Sequence, residues 1–239
     1  MNYENKKLEK FRPPDILLIL GTDASGKNYV ANFIADTVEK AGFEIEKRDG
    51  GFSKEPSDVV SSEDKSWFSL IKEKMFLATF NLTKFMVMPL MAFLIKKDLK
   101  NFRKSDLTTI VISNTPLRIL SFYLGHKFDN IDQIKIPDYM DDALKSIARI
   151  GAKTIILDID DTVRKKRIAI RLESGKADYF DLYMAEDAVR SERIENFLVW
   201  IGKKYLNAIV IENNDLNETE LFDRISEAFK EFEKNEISA

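Results

Sequence analysis

Short apolar runs alternate along this chain with stretches of helical period. Ile16 to Leu20 is continuously apolar, the pattern of a strand covered on both faces. Val30, Phe33, Ile34, Thr37 and Val38 recur at helical spacing, and Gly42 is placed to end that helix. Phe43 to Arg48 alternates apolar with charged residues as a second strand, and the turn Asp49-Gly50-Gly51 follows. Residues 53 to 66 read as a polar loop, and Trp67 to Leu99 is helical in pattern, densest from Met75 to Ile95. Leu107 to Ser113, Lys153 to Ile159 and Ala208 to Ile211 read as the remaining strands. Residues 129 to 151 include a helix with Tyr139, Met140, Leu144, Ile147 and Ile150 at suitable spacing, stopped by Gly151. A long helix runs through Phe197, Leu198 and Ile201. A last one runs from Glu218 to Phe232 with Leu221, Ile225, Phe229 and Phe232 on one face. This alternation predicts an α/β fold, a three-layer α/β/α sandwich around a five-stranded parallel sheet that binds ligands beyond the carboxyl ends of its strands.

The stretch from Met75 to Ile95 is long enough to suggest a membrane span. Asn81, Thr83, Lys84 and Pro89 interrupt it, so a buried helix at a homodimer interface is the expectation. Met86, Met88 and Met91 then fill the core. The 239 residues, 44% hydrophobic and 32% charged, suit a single domain over residues 1–239. A net charge of −3 gives no reason to expect nucleic acid as a partner. The absence of cysteine rules out disulfides and thiolate metal sites and fits a cytoplasmic location.

Candidate chemistry begins where the first strand ends. Gly21-Thr22-Asp23-Ala24-Ser25-Gly26-Lys27 fits the phosphate-loop pattern, in which backbone N–H groups curl round an anion and the lysine reaches the outer phosphates. The helix that follows points its positive end at the same place. The pattern places Ser or Thr after the lysine to ligate Mg2+, and here Asn28 offers an amide oxygen instead. ATP with Mg2+ is therefore the expected ligand, and the fold expected is that of the P-loop nucleoside triphosphate hydrolases. A second feature is the basic segment from Arg164 to Asp181, where Arg164, Lys165, Lys166, Arg167, Arg171 and Lys176 follow the fourth strand. Cations at that place make a lid that closes over phosphates and excludes water. His126, the only histidine, is expected in a loop or on the surface. Asp158, Asp160 and Asp161 cluster at a strand end, where Asp160 or Asp161 is expected to cap a helix start rather than the group to hold a metal.

Five strands, the loop at residues 21–27 and three further stretches, in this order along the chain, resemble the thymidylate kinase family of nucleoside monophosphate kinases. Ser53-Lys54-Glu55-Pro56 is similar to that family's Thr-Arg-Glu-Pro. Phe122-Tyr123-Leu124-Gly125 keeps the frame of Ala-Tyr-Gln-Gly, and Asp178-Tyr179-Phe180-Asp181 stands where members read Asp-Arg-Phe-Glu. The resemblance implies that Asp23 lies near the sugar of a bound monophosphate, that Lys54, Glu55 and Tyr123 contact this substrate, and that Arg167 and Arg171 supply the catalytic arginine absent from the loop. Asn114-Thr115 replaces the family's Asp-Arg, which removes a carboxylate from the metal network, and Arg118 stands three residues on as a spatial substitute for the arginine. Three readings stay open: a dTMP-like monophosphate kinase, a nucleotide-binding module of the same fold without transfer, and a P-loop kinase for another acceptor, polyphosphate users included.

Overall fold

Strands β1 (Ile16–Gly21), β2 (Glu44–Arg48), β3 (Thr108–Ile112), β4 (Lys153–Asp158) and β5 (Ile209–Glu212) form one sheet in the order β2-β3-β1-β4-β5. Every pair is parallel, with Leu18 level with Ile112 on one side and Thr154 on the other. The computed structural model describes residues 13–48, 84–99, 108–113, 115–177 and 179–237. The expectations for Lys54, Glu55 and Asn114, and for the helical pattern from Trp67 to Thr83, lie outside these residues.

The alternation of side chains along β1 divides the core in two. Ile16, Leu18 and Leu20 face one side, where α2 (Lys84–Asp98), α3 (Pro116–Lys127), α4 (Asp138–Arg149) and α7 (Ala188–Leu206) pack. Leu17 and Ile19 face the other side, against α1 (Lys27–Lys40) and α8 (Glu218–Ile237). The three-layer α/β/α P-loop sandwich is thus the fold of this chain. A smaller cluster of Ala24, Phe122, Ile168, Tyr183, Met184 and Ile194 joins the phosphate loop to α5 (Asp161–Glu173) and α6 (Tyr179–Glu186).

α1 ends as its sequence dictates. Gly42 sits at φ 87°, its N–H donates to the Glu39 carbonyl at 2.9 Å, and the Phe43 N–H donates to the Val38 carbonyl at 3.1 Å, a Schellman closure. Within α2, Val87, Met88, Met91 and Ile95 are buried and Pro89 is tolerated, while Met86, Leu90 and Phe93 are exposed. Two residues of the α4 pattern are corrected. Tyr139 is 43% exposed and Ile150 37%, because the buried stripe is Met140, Ala143, Leu144 and Ile147; Tyr139 lies one residue off it and Ile150 is already the C-cap. Among the described residues no helix is long and apolar enough to cross a membrane.

Candidate functional site

The loop that leaves β1 is shaped by backbone constraints. A Cβ on Gly21 would lie 2.4 Å from Ser25 Oγ and 3.1 Å from the Leu157 carbonyl oxygen, so only glycine lets the chain fold back across the strand end. Ala24 (φ 59°) and Gly26 (φ 89°) then take left-handed conformations, and the Ser25 N–H donates to the Thr22 carbonyl at 3.3 Å. Gly26 is the N-cap of α1 and offers no side chain to its first-turn N–H groups, so these remain for an anion. Ser25 Oγ is buried and has no hydrogen-bond partner among the described residues. A cradle of amides with an orphaned hydroxyl fits a phosphate chain.

Lys27 closes this loop from above, its Nζ donating to the Thr22 carbonyl at 2.7 Å. Burial holds its ammonium far below the ordinary lysine value, down to about 7. The Arg118 charge pushes the same way, Asp23 opposes it, and Arg171 and Asp181 add smaller opposing contributions. The charges that act on Lys27 thus come from the phosphate loop, α3, α5 and α6. Arg118 grips the Asp23 carboxylate with Nη2. Its guanidinium centre lies 4.7 Å from the Phe180 ring centroid and 5.7 Å from that of Phe122. Arg171 Nη1 donates to Asp181 Oδ1 at 2.8 Å and Oδ2 at 3.1 Å, an ion pair to a carboxylate that is 1% exposed.

A second set of contacts holds the loop from outside. Thr22 Oγ1 donates to Glu195 Oε1 at 2.8 Å, and Glu195 Oε2 pairs with Arg164, which is 1% exposed. Burial raises the Glu195 carboxyl above the usual carboxylate range even against that arginine. It does the same for Asp158 at the end of β4, with Glu212 and Asp160 adding repulsion. Arg167 Nη1 donates to the Ala24 carbonyl at 3.1 Å, and its Nη2 donates to the Asn213 carbonyl at 2.8 Å and to Asp215 Oδ1 at 3.1 Å. Asn213 Nδ2 donates to the Ser25 carbonyl at 2.7 Å.

The structure thus gathers Gly21, Thr22, Asp23, Ala24, Ser25, Gly26, Lys27, Arg118 and Arg171 at one mouth. Two sequence expectations are corrected. Tyr123 is 2% exposed within the apolar cluster under the sheet, because the face of α3 that reaches the loop is carried by Arg118 and Phe122, while Tyr123 is turned toward the core. The Arg167 guanidinium lies against backbone carbonyls rather than over the mouth. Asn28 is exposed on the first turn of α1. Among the described residues no group of three histidine, cysteine, aspartate or glutamate side chains is placed to hold a metal, and the loop's own carboxylate, Asp23, is paired with Arg118. The side-chain donors described at this loop do not by themselves fit Mg2+, which prefers anionic oxygen. His126 stands exposed in the last turn of α3, its Nδ1 2.7 Å from the Tyr183 hydroxyl.

Sequence reasoning missed Glu195, Arg164 as a buried residue, and Asn213. For Glu195 a signal existed: with Ser191, Leu198 and Gly202 it lies on the otherwise uncharged, buried stripe of α7.

No family model and no curated protein matches this chain. Among solved structures, a thymidylate kinase from Candida albicans superposes with a TM-score of 0.50 at 13% identity, covering 94% of this chain and 93% of that one. A deoxyadenosine kinase from M. mycoides with bound dATP gives 0.48 at 16% identity, covering 90% and 99%. Polyphosphate kinase 2 from Arthrobacter aurescens gives 0.48 at 15%, covering 96% and 72%. The likeness to the thymidylate kinase is one of fold.

Proposed function

We propose that the protein is an ATP-dependent phosphotransferase that moves the γ-phosphoryl group of ATP to a phosphate oxygen of a nucleoside monophosphate, with a dTMP-like acceptor. The observation that carries this reading is a buried Lys27 ammonium, bonded to the Thr22 carbonyl at 2.7 Å, on which the charges of an aspartate from its own loop, an arginine from α3, an arginine from α5 and an aspartate from α6 all act. A solvated charged face does not bury an ammonium among two arginines. Such a cluster gains its missing counter-charge when a polyphosphate enters.

In this reading the triphosphate lies on the amides of residues 21–27, with Lys27 at the outer phosphates. Arg171 turns from Asp181 toward the group in flight as the lid closes. Arg118, stacked on Phe180 and tied to Asp23, borders the acceptor. Transfer breaks the bond from γ-phosphorus to the bridging oxygen and forms one to the acceptor's phosphate oxygen, so ADP leaves. The cations neutralise charge that spreads over the moving group, and little base catalysis is required. Mg2+ would be held mainly by the phosphates and water, with Asn28 as the adjacent side-chain donor, and no step above depends on it.

A panel of nucleoside monophosphates with ATP and Mg2+, followed by ADP release, tests the reading. Turnover is expected with one acceptor or a few, and Lys27→Ala should abolish it while leaving a folded protein. Undiminished turnover in that variant refutes the assignment. The pairing of Arg118 and Arg171 with carboxylates, and the lack of an acidic metal cluster among the described residues, favour a second reading as a nucleotide-binding module. Bound ATP without ADP release in the same assay supports that alternative.

A further inference from the structure

We infer that Arg167 and Asn213 are positioning residues that set the phosphate loop by holding two of its carbonyls from behind, an assignment that rests on the reading of residues 21–27 as a phosphate cradle. The two consecutive carbonyls of Ala24 and Ser25 each accept a bond from a side chain outside the loop, the first from Arg167 Nη1 at 3.1 Å and the second from Asn213 Nδ2 at 2.7 Å. A trans peptide is planar, with its N–H opposite its C=O. Fixing the Ala24 carbonyl outward therefore turns the Ser25 N–H inward, where it meets the Thr22 carbonyl. Fixing the Ser25 carbonyl outward turns the Gly26 N–H inward in the same way.

The clamp is itself braced. The Asn213 N–H donates to the Asp158 carbonyl at 2.8 Å, which hangs the residue from the end of β4, and its own carbonyl accepts from Arg167 Nη2 at 2.8 Å. Asp215, in a left-handed conformation at φ 56°, turns its carboxylate to the same guanidinium at 3.1 Å. The fit also explains Gly26: a Cβ there would lie 2.7 Å from Asn213 Nδ2 and 3.6 Å from Arg167 Nη1, so the clamp occupies the space a side chain would need. The forked guanidinium spans two carbonyls and a carboxylate at once, which a lysine ammonium cannot do from one point.

The test uses inorganic tripolyphosphate, which has no base or sugar, so that a lost nucleobase contact cannot mimic the effect. Binding is measured by calorimetry, and the Ser25 and Gly26 amides are followed by NMR in the full chain. Wild type should bind the probe with shifts at both amides. Arg167→Lys and Arg167→Met should weaken it equally, about tenfold, as should Asn213→Ala, since each releases a charge-assisted or buried carbonyl bond. Without ligand the Ser25 amide signal should already be displaced in the two Arg167 variants and the Gly26 signal in Asn213→Ala, while the rest of the spectrum stays native. A merely structural role would shift melting without this local displacement. Full affinity in Arg167→Lys beside a loss in Arg167→Met would make Arg167 a direct phosphate contact and overturn the inference, as would unmoved loop amides in the variants. Arg167 is on the partly exposed side of α5, so its variants keep the test open if Asn213→Ala does not fold. Failure of wild type to bind tripolyphosphate would instead overturn the cradle reading, and with it any purpose for the clamp.

Discussion

Filling the loop with a polyanion should draw a proton onto Lys27. Its ammonium is held at about 7 by burial and by the Arg118 charge, against an ordinary value of 10.5, a depression worth about 5 kcal/mol in the folded state. The sign is fixed by linkage. Between those two values the unfolded chain binds more protons than the folded one, so stability rises with pH across that window and the full cost is felt below about 7. A triphosphate supplies the charge that burial withholds and returns the lysine to its protonated form. At pH 8 about nine-tenths of the unliganded protein carries neutral Lys27, so binding should take up about 0.9 proton. Affinity should fall about tenfold from pH 6 to pH 8 after correction for the nucleotide's own phosphate ionisation, which is essentially complete by the upper pH. Isothermal titration of ATP at pH 8 in buffers of differing ionisation enthalpy reads the uptake directly. Arg118→Met removes the largest neighbouring cation and leaves Asp23 free to favour the ammonium, so the transition should move to higher pH. No net uptake at pH 8, together with an affinity flat across this range, would refute the claim that the lysine is the phosphate ligand.

Other consequences follow from the supports of the site. Glu195→Gln leaves the buried Arg164 with the longer pair to Asp161 at 3.5 Å and the Ile159 carbonyl at 3.3 Å, and should cost about 2 kcal/mol in chemical denaturation, whereas Thr22→Val keeps the Glu195 ion pair and should cost about 1 kcal/mol. Gly125→Ala would place a Cβ 2.5 Å from Ile194 Cγ1 and 2.8 Å from its backbone; since backbone cannot swing aside, a loss of about 2 kcal/mol is expected by thermal melting. Phe180→Ala removes the ring beneath Arg118 and should weaken acceptor binding about threefold with ATP binding unchanged, measured by titrating each ligand separately.

What could be read in advance and what could not differ in the range of the contacts involved. The strands, α1 and the phosphate loop are written in consecutive residues: Ile16 to Leu20 bury on both faces, Gly42 closes α1, and Gly21 and Gly26 stand where only glycine fits. α3 escaped the periodicity because Leu117, Leu120, Phe122, Tyr123 and Leu124 are all buried, so two packed faces leave no polar stripe to mark a helix. The same double burial explains why Tyr123 faces the core while Phe122 and Arg118 reach the loop. For Arg167, residue type and position pointed to the lid, yet its partners are the carbonyls of Ala24 and Asn213, which lie 143 residues earlier and 46 later. Backbone carbonyls leave no trace in a sequence, since every residue has one. A pattern can therefore show which cations lie near a phosphate loop, but which of them meet the ligand and which hold the loop depends on where the opposing carbonyls point. In this fold Arg171 pairs with Asp181 and its charge acts on Lys27, while Arg167, four residues and one helical turn away, bonds the Ala24 carbonyl.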